Sequence, residues 1–288
     1  MCKNAPMSEL TITDHSRDAA GMTYVYPVVS RRSQGVSVGV NLNPNNACNW
    51  RCIYCQVPDL KRGGPPPIDL DQLEAELRRM LTEIQHGDWL LRHVPEGMRR
   101  LNDVALSGNG EPTTAPEFPA VVQLIGRVLA DFGLLGKIGL VLITNGSQID
   151  KAAVRAGLRA MAAMGGEVWF KLDRATSEGL RHVNGSRTDP ERHYRRLKAC
   201  AQLCATWVQT CVFALDGEPP AETEVRAYLE LLGRARVEGV TLRGVMLYGL
   251  ARPSLQPEAP RLSRLTEDWL QTLAQRIEAL GLTARVHA

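Results

Sequence analysis

From about residue 36 to the end, short apolar runs alternate about six times with amphipathic helical patterns. That alternation restricts the fold more than any other feature of the chain. The runs fall at 35–42, 102–107, 137–144, 166–172, 205–215 and 240–248, each bounded by Gly, Asn or Pro. Short apolar runs between turn residues are the signature of strands buried on both faces of a parallel sheet. Between them, 69–86 places Leu70, Leu73, Leu77, Leu81 and Ile84 on one stripe, and Asp69 and Gln72 are spaced for a capping box. Segment 116–132 repeats Val121, Leu124, Ile125, Val128 and Leu129, and 150–164, 189–204, 221–238 and 263–280 follow the same logic. The expectation is an α/β fold of parallel strands with outer helices. A closed barrel and an open sheet both satisfy the pattern.

The unusual residues sit just after the strands, in NLNPNNAC, SGNGEPT, TNGS, KLDRA, ALDGEPP and GLARPS. In parallel α/β folds these strand ends build the ligand site. One domain over 1–288 is expected, with 1–34 an N-terminal extension, 35–250 the core, and 251–288 a C-terminal loop and helix. The Pro-rich stretch LARPSLQPEAPRL (250–262) predicts a lid or rim element. With 34 basic against 31 acidic residues, charge gives no support for a nucleic-acid surface. No leader pattern opens the chain and no apolar run is long enough for a membrane span. Seven cysteines, an odd number, suit a reducing compartment, so a cytoplasmic protein is expected.

Three of those cysteines, Cys48, Cys52 and Cys55, lie in NACNWRCIYCQV at spacing C-x3-C-x2-C, with Tyr54 directly before the third. A structural zinc site needs four ligands, and neither His15 nor His86 lies near in sequence. Three thiolates on one loop can instead hold three irons of a cubane iron–sulfur cluster and leave the fourth open to a small molecule. The turn Ser107-Gly108-Asn109-Gly110-Glu111-Pro112-Thr113 ends the second strand. Its glycines allow another group close to the backbone, and its exposed N–H and C=O groups suit a zwitterionic amino-acid end.

Together, C-x3-C-x-aromatic-C and S-G-x-G-E-P-T resemble the radical S-adenosylmethionine (SAM) superfamily over roughly residues 35 to 250. The resemblance implies a partial (β/α)6 barrel with a 4Fe–4S cluster at its mouth, ligated by Cys48, Cys52 and Cys55. It implies SAM chelating the open iron, and reductive cleavage to methionine and a 5′-deoxyadenosyl radical that abstracts hydrogen from substrate. Gly108, Asn109, Gly110 and Glu111 would then contact the SAM amine, and backbone at Tyr54 the adenine. Lys171 and Asp173 would hold the SAM carboxylate or ribose. An external electron donor of flavodoxin or ferredoxin type is implied. SVGVNLNP, SGNGEPT and KLD are similar to the branch containing the tRNA wyosine-forming enzymes. Those use upstream cysteines for a second cluster, and here only Cys2 lies upstream.

Several residues keep two readings. Asn145 is either a SAM contact at the third strand end or a turn residue before Gly146. Lys171, one of six lysines, sits in the apolar string EVWFKLD. It is an ion-pair partner of Asp173 or Glu111, a ligand for the SAM carboxylate or a substrate anion, or a Schiff-base lysine. Arg252, in GLARPS, is a surface residue or holds a phosphate or carboxylate. Cys200, Cys204 and Cys211 are buried small hydrophobes or ligands of a second cluster. The substrate is expected to be a small molecule or nucleoside, with tRNA unsupported by charge. A glycyl-radical activating enzyme acting on a protein partner is the alternative enzyme, and an iron–sulfur electron-transfer or sensor protein the alternative without catalysis.

Overall fold

The computed structural model describes residues 21–30 and 35–287; Cys2 and His15 lie outside them. The strands are β1 (Val25–Ser30), β2 (Gly35–Val40), β3 (Ala47–Cys48), β4 (Lys61–Arg62), β5 (Leu101–Leu106), β6 (Gly139–Thr144), β7 (Glu167–Lys171), β8 (Ala205–Cys211), β9 (Ala214–Leu215), β10 (Leu242–Tyr248), β11 (Leu262–Ser263) and β12 (Ala284–His287). The helices are α1 (Leu70–Gln85), α2 (Trp89–His93), α3 (Phe118–Asp131), α4 (Ala152–Ala163), α5 (Ser177–Asn184), α6 (Pro190–Leu203), α7 (Glu222–Val237) and α8 (Glu267–Glu278).

Eight strands form one sheet in the order β1-β2-β5-β6-β7-β8-β10-β12. All neighbours run parallel except β1 against β2. The sheet is α/β with mostly parallel strands and outer helices, and it is open: its edge strands β1 and β12 do not pair with each other. Six of the strands are those expected from the alternation. The two added ones lie at the edges, outside 35–250, and their sequences explain why they are hard to read. β1 carries Pro27, which has no N–H for a ladder and is tolerated on an edge strand. β12 is four residues long with alternating polar side chains.

Packing follows the stripes. Leu73, Leu77, Met80, Leu81 and Ile84 of α1 and Val121, Val122, Leu124, Ile125, Val128 and Leu129 of α3 are buried in the main core. Only half of the capping box at α1 forms. The Asp69 side chain accepts from the Gln72 backbone N–H at 2.9 Å, but the Gln72 side chain donates to Thr23 Oγ1 and Glu76 Oε1. Glu76 in turn accepts from the N–H groups of Thr23, Tyr24 and Val25. The unpaired donors where β1 begins recruit this carboxylate, and with it the side chain that would have completed the box.

Two further departures shape the ligand side of the sheet. The run 205–215 is not one strand: β8 ends at Cys211, and β9 turns out to pair antiparallel with β11, at the end of the Pro-rich stretch. Segment 173–188, which carries no helical stripe in the sequence reading, contains α5. Thr176 caps it by accepting from Gly179 N–H at 2.9 Å, and Gly185 at φ +57° ends it.

Candidate active site

The strand ends surround a cavity of about 450 Å³. Cys48, Cys52, Cys55, Tyr54, Gly108, Asn109, Gly110, Glu111, Asn145, Lys171 and Arg252 all line it. Residues spread over two hundred positions of sequence are thus brought to one chamber. Asp173 is not among the lining residues and stands buried behind Tyr54.

The cysteine loop is built by asparagines. Asn41 Oδ1 accepts from the N–H groups of Asn43 and Asn109, both at 3.0 Å. Asn43 Nδ2 donates to the Ala47 carbonyl at 2.9 Å. Asn46, at φ +57°, accepts from Asn109 Nδ2 at 2.6 Å and donates to the Pro58 carbonyl. Asparagine tolerates the left-handed region and offers both a donor and an acceptor. The string NLNPNN is therefore a frame for the loop.

This changes the meaning of the glycine turn. A Cβ at Gly110 would lie 2.1 Å from the Ala47 carbonyl oxygen, and one at Gly108, where φ is +154°, would lie 2.3 Å from Asn41 Oδ1. The group that approaches these glycines so closely is the chain's own cysteine loop. Gly110→Ala is expected to push that loop outward and cost about 1–3 kcal/mol. Urea unfolding reads the loss, and a wild-type midpoint would refute the close-contact role.

Glu111 is committed to protein donors. Its carboxylate accepts from Thr113 N–H at 3.2 Å, Thr113 Oγ1 at 2.5 Å, Thr144 Oγ1 at 2.6 Å and Asn145 N–H at 2.6 Å. Burial pushes its pKa up, and those donors pull against the rise. Asn145 continues the chain: its Nδ2 donates to Asn49 Oδ1 at 2.9 Å and its Oδ1 accepts from Ser147 N–H. Glu111 thereby ties the ends of β5 and β6 to the cysteine loop.

Lys171 and Asp173 are joined through a third residue. Lys171 Nζ donates to the Tyr54 hydroxyl at 2.8 Å, and that hydroxyl donates to Asp173 Oδ2. Burial opposes the charge on Lys171, but Tyr248 and Asp173 outweigh it and hold its pKa above the ordinary lysine value. Burial, then the Asp173 carboxylate, push the Tyr54 hydroxyl up as well, so it stays a donor.

The Pro-rich stretch is a strap. Ser254 Oγ donates to the Ile53 carbonyl at 2.7 Å, Leu255 N–H to the Cys55 carbonyl at 2.9 Å, and Gln256 Nε2 to the Val57 carbonyl at 3.1 Å. Glu258 pairs bidentately with Arg51. Arg252 Nη1 donates to Gln56 Oε1 at 2.9 Å while facing the cavity. Ser254, Gln256 and Asn184 escape the sequence reading; the only signals for them are the polar residues interrupting a Pro-rich loop and the helix-ending Asn-Gly.

The donor set fits an iron–sulfur cluster. Among the described residues no three His, Cys, Asp or Glu side chains converge on a single-ion site. A cubane's three cysteines need not converge, because each binds a different iron. Burial pushes Cys48 up to about 11 and Cys52 up to about 12. Thiolates there need compensating positive charge, which bound iron would supply. Trp50 N–H donates to Cys48 Sγ at 3.4 Å and Asn184 Nδ2 to Cys52 Sγ at 3.3 Å. Of the remaining cysteines, Cys200 and Cys204 are buried beneath the sheet in the main core, whereas Cys211 lines the cavity.

A family model described as the radical SAM superfamily matches residues 42–229, more than half of the chain. The chain belongs to that superfamily. Superfamily members are enzymes that use SAM and an iron–sulfur cluster, so this is a radical SAM enzyme in that general sense. Solved structures agree on the fold. A radical SAM methyltransferase from Sphaerobacter thermophilus superposes with a TM-score of 0.58 at 14% identity, covering 91% of this chain and 68% of that one. TYW1, solved with a lysine–pyruvate adduct bound, gives 0.53 at 16% identity, covering 86% and 74%. HydG, a maturase of the [FeFe]-hydrogenase, gives 0.54 at 13%, covering 86% and 50%. A curated relative, the GTPase Obg of Brachyspira hyodysenteriae, is 27% identical over 135 residues, 46% of this chain. The chain spans 17% of that protein's length. No helix among the described residues is long and apolar enough to cross a membrane.

Proposed function

We propose that this radical SAM enzyme holds a 4Fe–4S cluster on Cys48, Cys52 and Cys55, binds SAM beside it, and abstracts a hydrogen atom from a small-molecule or nucleoside substrate. The observation that carries the reading is the single cavity of about 450 Å³ onto which all three cysteines, the glycine turn, Asn145, Lys171 and Arg252 open. When bound, the cluster would supply the electron that splits SAM into methionine and a 5′-deoxyadenosyl radical. The electron would come from a flavodoxin- or ferredoxin-type donor in the cytoplasm.

The chain's own residues do the rest. Gly108, Asn109 and Gly110 line the chamber and would contact the SAM amine, with Glu111 fixing the turn. Lys171, which lines the cavity and donates through Nζ to the Tyr54 hydroxyl, takes a carboxylate. A Schiff-base role would need the free amine, and the adduct seen in TYW1 is not carried over. Asp173 acts from behind the wall by fixing Tyr54, whose backbone would touch the adenine of SAM. Arg252 offers a second cationic group for a substrate anion. The walls keep water from the reacting atoms.

The strap 250–262 is pinned to the cysteine loop, and its Leu250, Ala251 and Arg252 line the chamber. A wall fixed in this way favours a small substrate over a protein loop, and so over a glycyl-radical activating role. Small net charge gives tRNA no added support.

The direct test is anaerobic: the reconstituted chain with dithionite and SAM should release 5′-deoxyadenosine, and its persistent absence would defeat the proposal. Deuterium carried into 5′-deoxyadenosine from fractionated labelled extracts would then identify the substrate. Lys171→Met removes one charge-assisted contact of about 1.5–3 kcal/mol and should weaken SAM binding roughly tenfold to a hundredfold. Equilibrium dialysis measures it; unchanged affinity would leave Lys171 only its hold on Tyr54.

A further inference from the structure

Asn184 ends α5 with no exposed surface. Its Nδ2 donates twice, to Asp173 Oδ2 at 2.6 Å and to Cys52 Sγ at 3.3 Å. Its Oδ1 is buried without a hydrogen-bond partner. Turning the amide over would set an acceptor against a carboxylate and a sulfur, so the nitrogen-inward orientation is fixed by its neighbours. Asp173 cannot swing away, because its Oδ1 accepts from Cys211 N–H at 2.8 Å and its Oδ2 from the Tyr54 hydroxyl. The backbone also grips the cysteine on both sides: Arg51 N–H donates to the Asn184 carbonyl at 3.0 Å and Ile53 N–H to the Val183 carbonyl at 2.9 Å. The side-chain bond to sulfur is therefore not needed to hold the loop in place. An amide whose oxygen is left unpaired so that its nitrogen can face a sulfur costs stability, which points to a task at that sulfur.

We infer that Asn184 is a positioning residue that sets the redox poise of the cluster through its N–H···S bond to Cys52. The inference rests on the cluster reading given under Proposed function. A hydrogen bond to a ligand sulfur draws off negative charge and stabilises the more negative, reduced state, so it raises the reduction potential. Asp173 acts one bond further out, by orienting the amide. Lys171 and Tyr54 complete an unbroken chain of hydrogen bonds from the cavity wall to the sulfur.

The test is an anaerobic redox titration of the reconstituted full chain, wild type against Asn184→Leu, with iron measured in both. The leucine side chain has similar volume and no donor, and the backbone grip on the loop remains. The expected result is a more negative midpoint potential of the cluster the variant holds, whatever its iron content. An unchanged potential of that cluster overturns the inference. Should the variant fail to hold iron, the wild-type chain labelled with 15N-asparagine decides: pulsed paramagnetic resonance of its reduced cluster should show coupling to a side-chain amide nitrogen, and no such coupling overturns the inference. Failure of the underlying reading looks different, since Cys52→Ala would then retain wild-type iron.

Discussion

Cys52→Ala is expected to lower the iron retained after anaerobic reconstitution by more than about tenfold, and with it to abolish 5′-deoxyadenosine formation. Loss of an outer-sphere partner alone typically weakens metal binding 10- to 100-fold, and a lost ligand does more. Cys52 is held from two directions: its sulfur receives Asn184 Nδ2, and its neighbours Arg51 and Ile53 are tied to the end of α5. The useful control is Cys204→Ala. That thiol is buried against the Gly166 carbonyl, away from the chamber, and its loss should leave iron and cleavage intact. A Cys52→Ala chain with full iron would sink the ligand assignment. Cys211 sharpens the comparison, because it is a free thiol on the same cavity wall. Retained iron in Cys52→Ala that disappears in the Cys52→Ala/Cys211→Ala chain would show substitution by a neighbour.

What the sequence makes legible is what repeats or what is spaced locally. The alternation of strand and helix reads directly, and so does the grouping of the three cysteines, because they share one short loop that lines the cavity. The edge strand β1 is masked by Pro27, whose missing N–H weakens any strand reading, and α5 is short enough to hide between a strand end and a capped helix. The partner of a polar side chain is harder still. Gly108 and Gly110 indicate that something comes close, but only the fold reveals that the neighbour is the loop carrying Asn41, Asn43 and Ala47. Lys171 and Asp173 share a strand end, so a direct ion pair is the natural reading. The Tyr54 hydroxyl that stands between them arrives from 117 residues away, a distance along the chain that no local spacing encodes.

Glu111 shows how large such a hidden role can be. Glu111→Ala should cost at least about 3 kcal/mol, because it strips the acceptor from several buried donors at once, each worth about 1–3 kcal/mol when left unpaired. Thr113, Thr144 and Asn145 lose their common partner, and Thr144 Oγ1 still accepts from Gly146 N–H, so its own proton has nowhere to go. The damage should travel. Asn145 holds Asn49, next to Cys48, and Asn49 also reaches Ser147. Loosening that string frees the first cysteine, so iron retention should fall along with the urea midpoint. Glu111→Gln keeps the shape and one acceptor oxygen but points an NH2 group at a donor, so its loss should fall between wild type and alanine. A carboxylate serving chiefly as a ligand group would behave differently: alanine would spare stability and iron while weakening SAM binding. Measuring all three quantities on the two variants separates a strut from a ligand, and the hydrogen bonds around Glu111 point to the strut.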